Sequence, residues 1–135
     1  MTVEFALRWQ GAGQHFRGGK VGGVEVSIDG DGKEGASPMT AVALGLAGCM
    51  AIDVLDITQK MRLAVTSLDV RVVGERRDDP PRRYTGIVLK YRVGGVPETE
   101  QDKVWRAIEL SREKYCSVWH SLREDIAMNI ELELV

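Results

Sequence analysis

The sequence predicts an α+β fold in which a curved antiparallel sheet wraps around a central buried helix. Three observations carry this expectation. Short runs that alternate apolar and polar residues mark strands at 3–9, 24–28, 67–76, 84–93 and 126–134. One long segment, 39–62, follows a Ser-Pro pair and is apolar nearly all round through Ile52, as a helix inside a fold is. The order is strands, helix, two strands, two helices, strand, with hairpin-like turns joining most strands and no βαβ series.

Taken in order, Val3, Phe5, Leu7 and Trp9 alternate with Glu4, Ala6 and Arg8, the pattern of a half-buried strand. The glycine-rich stretch 10–20 supplies hairpin turns and a short strand around residues 15–17. Val24, Val26 and Ile28 alternate with polar neighbours and stop at Asp29-Gly30-Asp31-Gly32. Glycines near 18–23 resemble a dinucleotide-binding pattern, but they do not run from a strand into a helix, so no phosphate site is read from them. Ser37 is placed to cap the long helix and Pro38 to open it. Within that helix Gly45 and Gly48 each cost about 1 kcal/mol relative to alanine. With Ala47 they predict close approach of another backbone or a ligand beside Cys49.

Leu68, Val70 and Val72 share one face of the next strand, and Ile87, Leu89, Tyr91 and Val93 one face of its partner. The connector 77–82 is charged and reads as an exposed hairpin tip. A second helix starts near Glu98 or Thr99, with acidic residues where the dipole favours them, and runs to Lys114. Tyr115-Cys116-Ser117 breaks it, and a short helix over 118–124 follows. Ile126, Met128, Ile130, Leu132 and Leu134 then alternate strictly, which predicts a closing strand.

A length of 135 residues fits a single domain, 1–135, large enough to bury a core without crosslinks. With 44% hydrophobic and 28% charged residues the composition is that of a soluble globular protein. Eighteen basic against 20 acidic residues leave no basic face for nucleic acid. The N-terminus lacks the features of a signal peptide. The apolar run 41–52 reads as too short to span a bilayer, and Asp53 and Asp56 follow it. The expected location is cytoplasmic, with no membrane partner. In a reducing compartment Cys49 and Cys116 are then not a structural staple.

Two readings of these cysteines stay open from the residues alone. Both are small buried hydrophobes, or they form a redox pair. Cys49 sits mid-helix, where burial raises a thiol's pKa, and Asp53 one turn on opposes a thiolate unless it is paired. Cys116 stands before a short helix whose N–H groups favour a thiolate, and His120 follows one turn later. Cys49 with Asp53 and Cys116 with His120 are two i,i+4 pairs, which a zinc ion requires to converge. Trp105, Tyr115 and Trp119 line an apolar pocket or are plain core. No cofactor is expected.

The segment SPMTAVALGLAGCMAIDVLDI, followed later by REKYCSVW, resembles the OsmC/Ohr family, and within it the YhfA-like branch. The element order agrees over nearly the whole chain. The resemblance implies an OsmC-like fold and an intertwined homodimer with two active sites at its interface. It also implies a thiol-dependent hydroperoxide reductase in which Cys49 is peroxidatic, Cys116 is resolving and an external dithiol is the reductant. An arginine near the N-terminal sheet holds the thiolate in such proteins; Arg17 matches it by position, with Lys20 as a rival. One place departs from the pattern. The active branch carries a glutamate just after Ser-Pro, and here Met39 stands there, followed by Thr40. Glu34 or Asp53 are the residues available to substitute. The alternative is a non-catalytic small-molecule-binding member of the same fold.

Overall fold

The computed structural model describes all 135 residues, Met1–Val135. The chain divides into two compact units, Met1–Val42 and Ala43–Val135.

The first unit is a three-stranded antiparallel sheet, β1 (Phe5–Trp9), β2 (His15–Lys20) and β3 (Glu25–Asp29), in the order β1-β2-β3. Its register sets Arg17 opposite Arg8 on one side and Ser27 on the other. The Asp29 carboxylate accepts the backbone N–H groups of Asp31 and Glu34, both at 2.9 Å, and so closes the loop after β3. These bonds hold its pKa below the usual carboxylate value, that of Glu34 contributing most.

Helix α1 (Pro38–Lys60) begins where Ser37 and Pro38 predict. The Ser37 Oγ accepts the Thr40 N–H at 3.3 Å and lies 2.8 Å from the Thr40 hydroxyl. The helix crosses from the first unit into the second.

In the second unit β4 (Ser67–Arg76), β5 (Tyr84–Gly94) and β6 (Ala127–Leu134) form a sheet with β5 in the centre. A single 3-10 turn, Glu98–Glu100, leads into α2 (Gln101–Leu110). A π turn, Ser111–Tyr115, separates α2 from α3 (Ser117–Ser121). The core joins Leu46, Met50 and Val54 of α1 to Ile87, Leu89, Tyr91 and Val93 of β5 and to Val104 and Ile108 of α2. The predicted inward faces of β4, β5 and β6 are those that pack.

The α+β class stands, and three details differ from expectation. First, the sheet is not wholly antiparallel, because β6 runs parallel to β5, from Gly86 opposite Ala127 to Val93 opposite Leu134. The connection carries α2, the π turn and α3, and a helical crossover returns the chain to the end from which β5 started.

Second, α1 is not buried all round. Leu44 is 60% and Ile52 61% exposed. An apolar helix has nothing to cover a second face in one chain of this size. By length and apolarity α1 also suffices to cross a bilayer, more than the run 41–52 suggests. Its buried row of Leu46, Met50, Val54 and Thr58 packs in the core instead, with the Thr58 hydroxyl returned to the Val54 carbonyl at 2.6 Å.

Third, β1 is not half-buried, since Phe5, Leu7 and Trp9 are all more than half exposed. Alternation gives the strand its two faces but does not supply the layer that covers one of them.

Met50→Ala removes a fully buried side chain at the centre of this packing. It is expected to cost about 2–5 kcal/mol, against about 1 kcal/mol for Ser37→Ala at the cap. Denaturant unfolding of the two variants checks this order.

Candidate active site

Cys49 lies midway along α1 and is partly buried; Cys116 is fully buried. Both are free thiols. Their thiols lie close enough to influence each other's ionisation, so the structure brings together the two cysteines that the sequence separates.

Three local devices place Cys116. The π turn adds a residue to the end of α2, and the Cys116 N–H closes that turn on the Ser111 carbonyl at 2.8 Å. The chain then leaves the helix, with Cys116 at φ −73° and ψ 102° as the N-cap of α3. There its sulfur does the work of a capping oxygen and accepts the Trp119 N–H at 3.3 Å.

The expected helix-end contact is therefore present, but it does not decide the acidity of this thiol. Burial outweighs it. Desolvation, with a further contribution from the Cys49 thiol, pushes Cys116 up to about 11, while the Trp119 N–H pulls the other way.

Asp53 is the acidic neighbour of Cys49, and it is paired. The Ser111 hydroxyl donates to its Oδ2 at 2.7 Å, which ties the π turn to α1. Asp53 also lines a cleft of about 340 Å³ with Asp56, Ile57, Lys60, Leu110 and Tyr115.

Tyr91 reaches the same place from β5. It is 1% exposed, its hydroxyl has no hydrogen-bond partner in the protein, and it lies within electrostatic range of both Cys116 and Asp53. Burial first, then those two acidic neighbours, hold its phenol far up from the ordinary value.

Sequence reading missed the parts played by Ser111 and Tyr91. One signal was available, a hydroxyl on the inward face of an otherwise aliphatic strand. Nothing in the spacing of Ser111 points to Asp53, 58 residues away.

Arg17 and Lys20 lie on β2 in the first unit, both exposed. Glu34 is exposed in the loop after β3. His120 is exposed and Asp53 is held by Ser111, so the zinc reading fails: no three His, Cys, Asp or Glu side chains form a ligand set. Trp105 and Trp119 pack against the core, while Tyr115 lines the Asp53 cleft under the Lys114 ammonium. The three aromatic residues do not share a pocket.

Gly45 and Gly48 also depart from expectation. A Cβ added at either would meet nothing within 4 Å. No backbone packs there within the chain, and the space beside Cys49 is open.

An α+β fold with two thiols in contact between a central helix and a helix cap defines a class of cysteine-pair proteins. Comparison specifies it further. The model of the OsmC-like protein family matches residues 30–131, and the chain belongs to that family. It is 38% identical to protein YhfA of Escherichia coli strain K12 over 134 residues, which is 98% of each chain. An OsmC-like protein of Mycoplasma pneumoniae superposes with a TM-score of 0.83 at 16% identity, over 100% of this chain and 98% of that one. The organic hydroperoxide resistance protein OhrB of Bacillus subtilis superposes with a TM-score of 0.63, also at 16% identity, over 98% of both. These last two likenesses concern the fold.

The buried thiol sets a pH expectation. A folded-state pKa raised from 9.0 to about 11 favours the folded chain fully below pH 9 and loses that contribution as pH climbs towards 11. Cβ carbon shifts of isotopically labelled cysteine are expected to show Cys116 protonated throughout the neutral range. Alkaline unfolding is expected to be less steep in Cys116→Ala.

Proposed function

We propose that this chain is a thiol-dependent hydroperoxide reductase, with Cys49 the peroxidatic and Cys116 the resolving cysteine. The observation that carries the reading is the contact between two free thiols of unequal burial, with open space at Gly45 and Gly48 beside the more accessible one.

The Cys49 sulfur attacks the outer oxygen of an organic hydroperoxide. The O–O bond breaks, the alcohol leaves, and Cys49 becomes a sulfenic acid. Cys116 then displaces hydroxide from that sulfur, giving a disulfide and water, and an external dithiol reduces the disulfide. Cys116 suits the second step. It is fully buried and remains protonated at neutral pH, so it does not compete for the peroxide, yet it lies near the sulfur it must attack.

Arg17 is proposed as the cation that holds the Cys49 thiolate, because it is exposed and forms no salt bridge within its own chain. We take the whole chain, 1–135, as one functional domain of a cytoplasmic protein. The apolar side of α1 that carries Leu44, Ile52 and Leu55 lies within about 140° of Cys49 on the helix wheel and is uncovered. A second copy covering it gives the homodimer and encloses the Cys49 approach. Met39, in the place of the family carboxylate, favours the second reading, a non-catalytic small-molecule binder with the same pocket.

Consumption of cumene hydroperoxide with dithiothreitol separates the two. Turnover that falls at least about 100-fold in Cys49→Ser is expected. Cys116→Ser is expected to stop at the sulfenic acid, seen by intact mass after dimedone trapping. Absence of turnover with several hydroperoxides and dithiols would leave the binder. Light scattering is expected to give twice the chain mass for the parent, and Leu44→Asp is expected to weaken that association without unfolding the core.

A further inference from the structure

A buried hydroxyl in a folded protein has a hydrogen-bond partner in the great majority of cases, because leaving it bare costs about 1–3 kcal/mol. Tyr91 Oη breaks this rule at the centre of the cysteine site. It comes from β5, the central strand, on the face shared with Leu89 and Val93. Phenylalanine would fill this position equally well as core. The oxygen therefore has no packing role, and the Cys116 thiol and the Asp53 carboxylate lie within electrostatic range of it.

Asp53 is itself held in place. One carboxylate oxygen takes the Ser111 hydroxyl, and the residue opens on a cleft to solvent. A fully buried thiol, an unpartnered buried hydroxyl and a fixed carboxylate at a cleft are thus gathered in one region, with Ser111 joining the carboxylate to the turn of the thiol.

We propose that Tyr91 and Asp53 form the proton path of the Cys116 thiol, with the Tyr91 hydroxyl linking sulfur to carboxylate through an intervening water and Asp53 accepting the proton as the new sulfur–sulfur bond forms. This deepens the reading of Cys116 as the resolving cysteine and rests on it.

The step balances. The Cys116 S–H bond breaks and its proton goes by way of Tyr91 to Asp53. The freed electron pair forms the S–S bond to Cys49. The S–O bond of the sulfenic acid breaks, the departing hydroxide becomes water with one proton from solvent, and Asp53 releases the thiol's proton to solvent at the cleft, so no net proton is gained or lost. One sulfur is oxidised and the other reduced, so no outside oxidant enters this step. A base is needed because the thiol is sealed from solvent and must lose its proton inside the protein. The ionisable groups near Cys116 are Cys49 from α1 and Tyr91 from β5, with Asp53 of α1 within electrostatic range of Tyr91 and His120 of α3 exposed on the turn beyond.

The step is tested without any hydroperoxide. Cys49 in the full chain is converted to its mixed disulfide with thionitrobenzoate, and the release of coloured thionitrobenzoate by Cys116 is timed between about pH 6 and 9. Cys116→Ser defines the background. Tyr91→Phe deletes an atom that bonds to no protein group, so it is expected to fold with unchanged or higher thermal stability. Tyr91→Phe and Asp53→Asn are each expected to slow release about tenfold or more at neutral pH. The deficit is expected to shrink as pH rises and hydroxide takes over as base.

Release within twofold of the parent at every pH overturns the proposal. A slowing by the same factor at every pH also overturns it, since that is the signature of a structural role. Absence of release from the parent chain overturns it too. Ser111→Ala gives a second route to the same comparison if Asp53→Asn does not fold. Normal pH-dependent release in a chain that consumes no hydroperoxide would sink the reductase reading and leave the proton path standing.

Discussion

The placement of the two thiols rests on one tie. The Ser111 hydroxyl reaches across to Asp53 of α1 at 2.7 Å, while the Ser111 carbonyl holds the Cys116 N–H at 2.8 Å. One residue thus fixes the turn that bears Cys116 to the helix that bears Cys49. It is fully buried, so little water competes for either bond. The π turn is what makes this geometry available. An uninterrupted α2 would carry Cys116 on as a helical residue, without the extended backbone that lets its sulfur cap α3.

The same tie resolves a conflict between charge and chemistry. A carboxylate one turn from a reactive cysteine disfavours its thiolate. Engaged by Ser111, Asp53 is held in one orientation while facing a cleft. Burial meanwhile separates the two thiols. Cys116 gains a contact from the Trp119 N–H, yet desolvation is the larger effect and keeps it protonated. The acidity of Cys116 follows from which of these effects wins, not from the presence of a helix end.

Each of the two units leaves apolar surface uncovered. Leu44 and Ile52 on α1, and Phe5, Leu7 and Trp9 on β1, expose large hydrophobic surface. Surface of this kind marks an interaction face. The empty space at Gly45 and Gly48 belongs to the same side of α1 as Cys49, which is why the small residues there are not explained by packing within the chain.

Much of this was legible in the sequence. The inward faces of β4, β5 and β6 follow from period-two alternation, and the start of α1 from Ser37 and Pro38, because these are local rules that neighbouring residues settle among themselves. The cysteine pair was legible only through family resemblance, since 66 intervening residues must fold before the sulfurs come together. Tertiary structure alone decided the rest. Whether β6 runs parallel depends on the path of a crossover. Whether α1 is covered all round depends on how much surface one chain has to place against it. The acidity of Cys116 depends on a balance between burial and one backbone N–H. Ser111 carries no local signal for the site and Tyr91 only that of a hydroxyl on an aliphatic face, because a hydroxyl's partner, or its lack of one, is set by whatever long-range packing brings beside it.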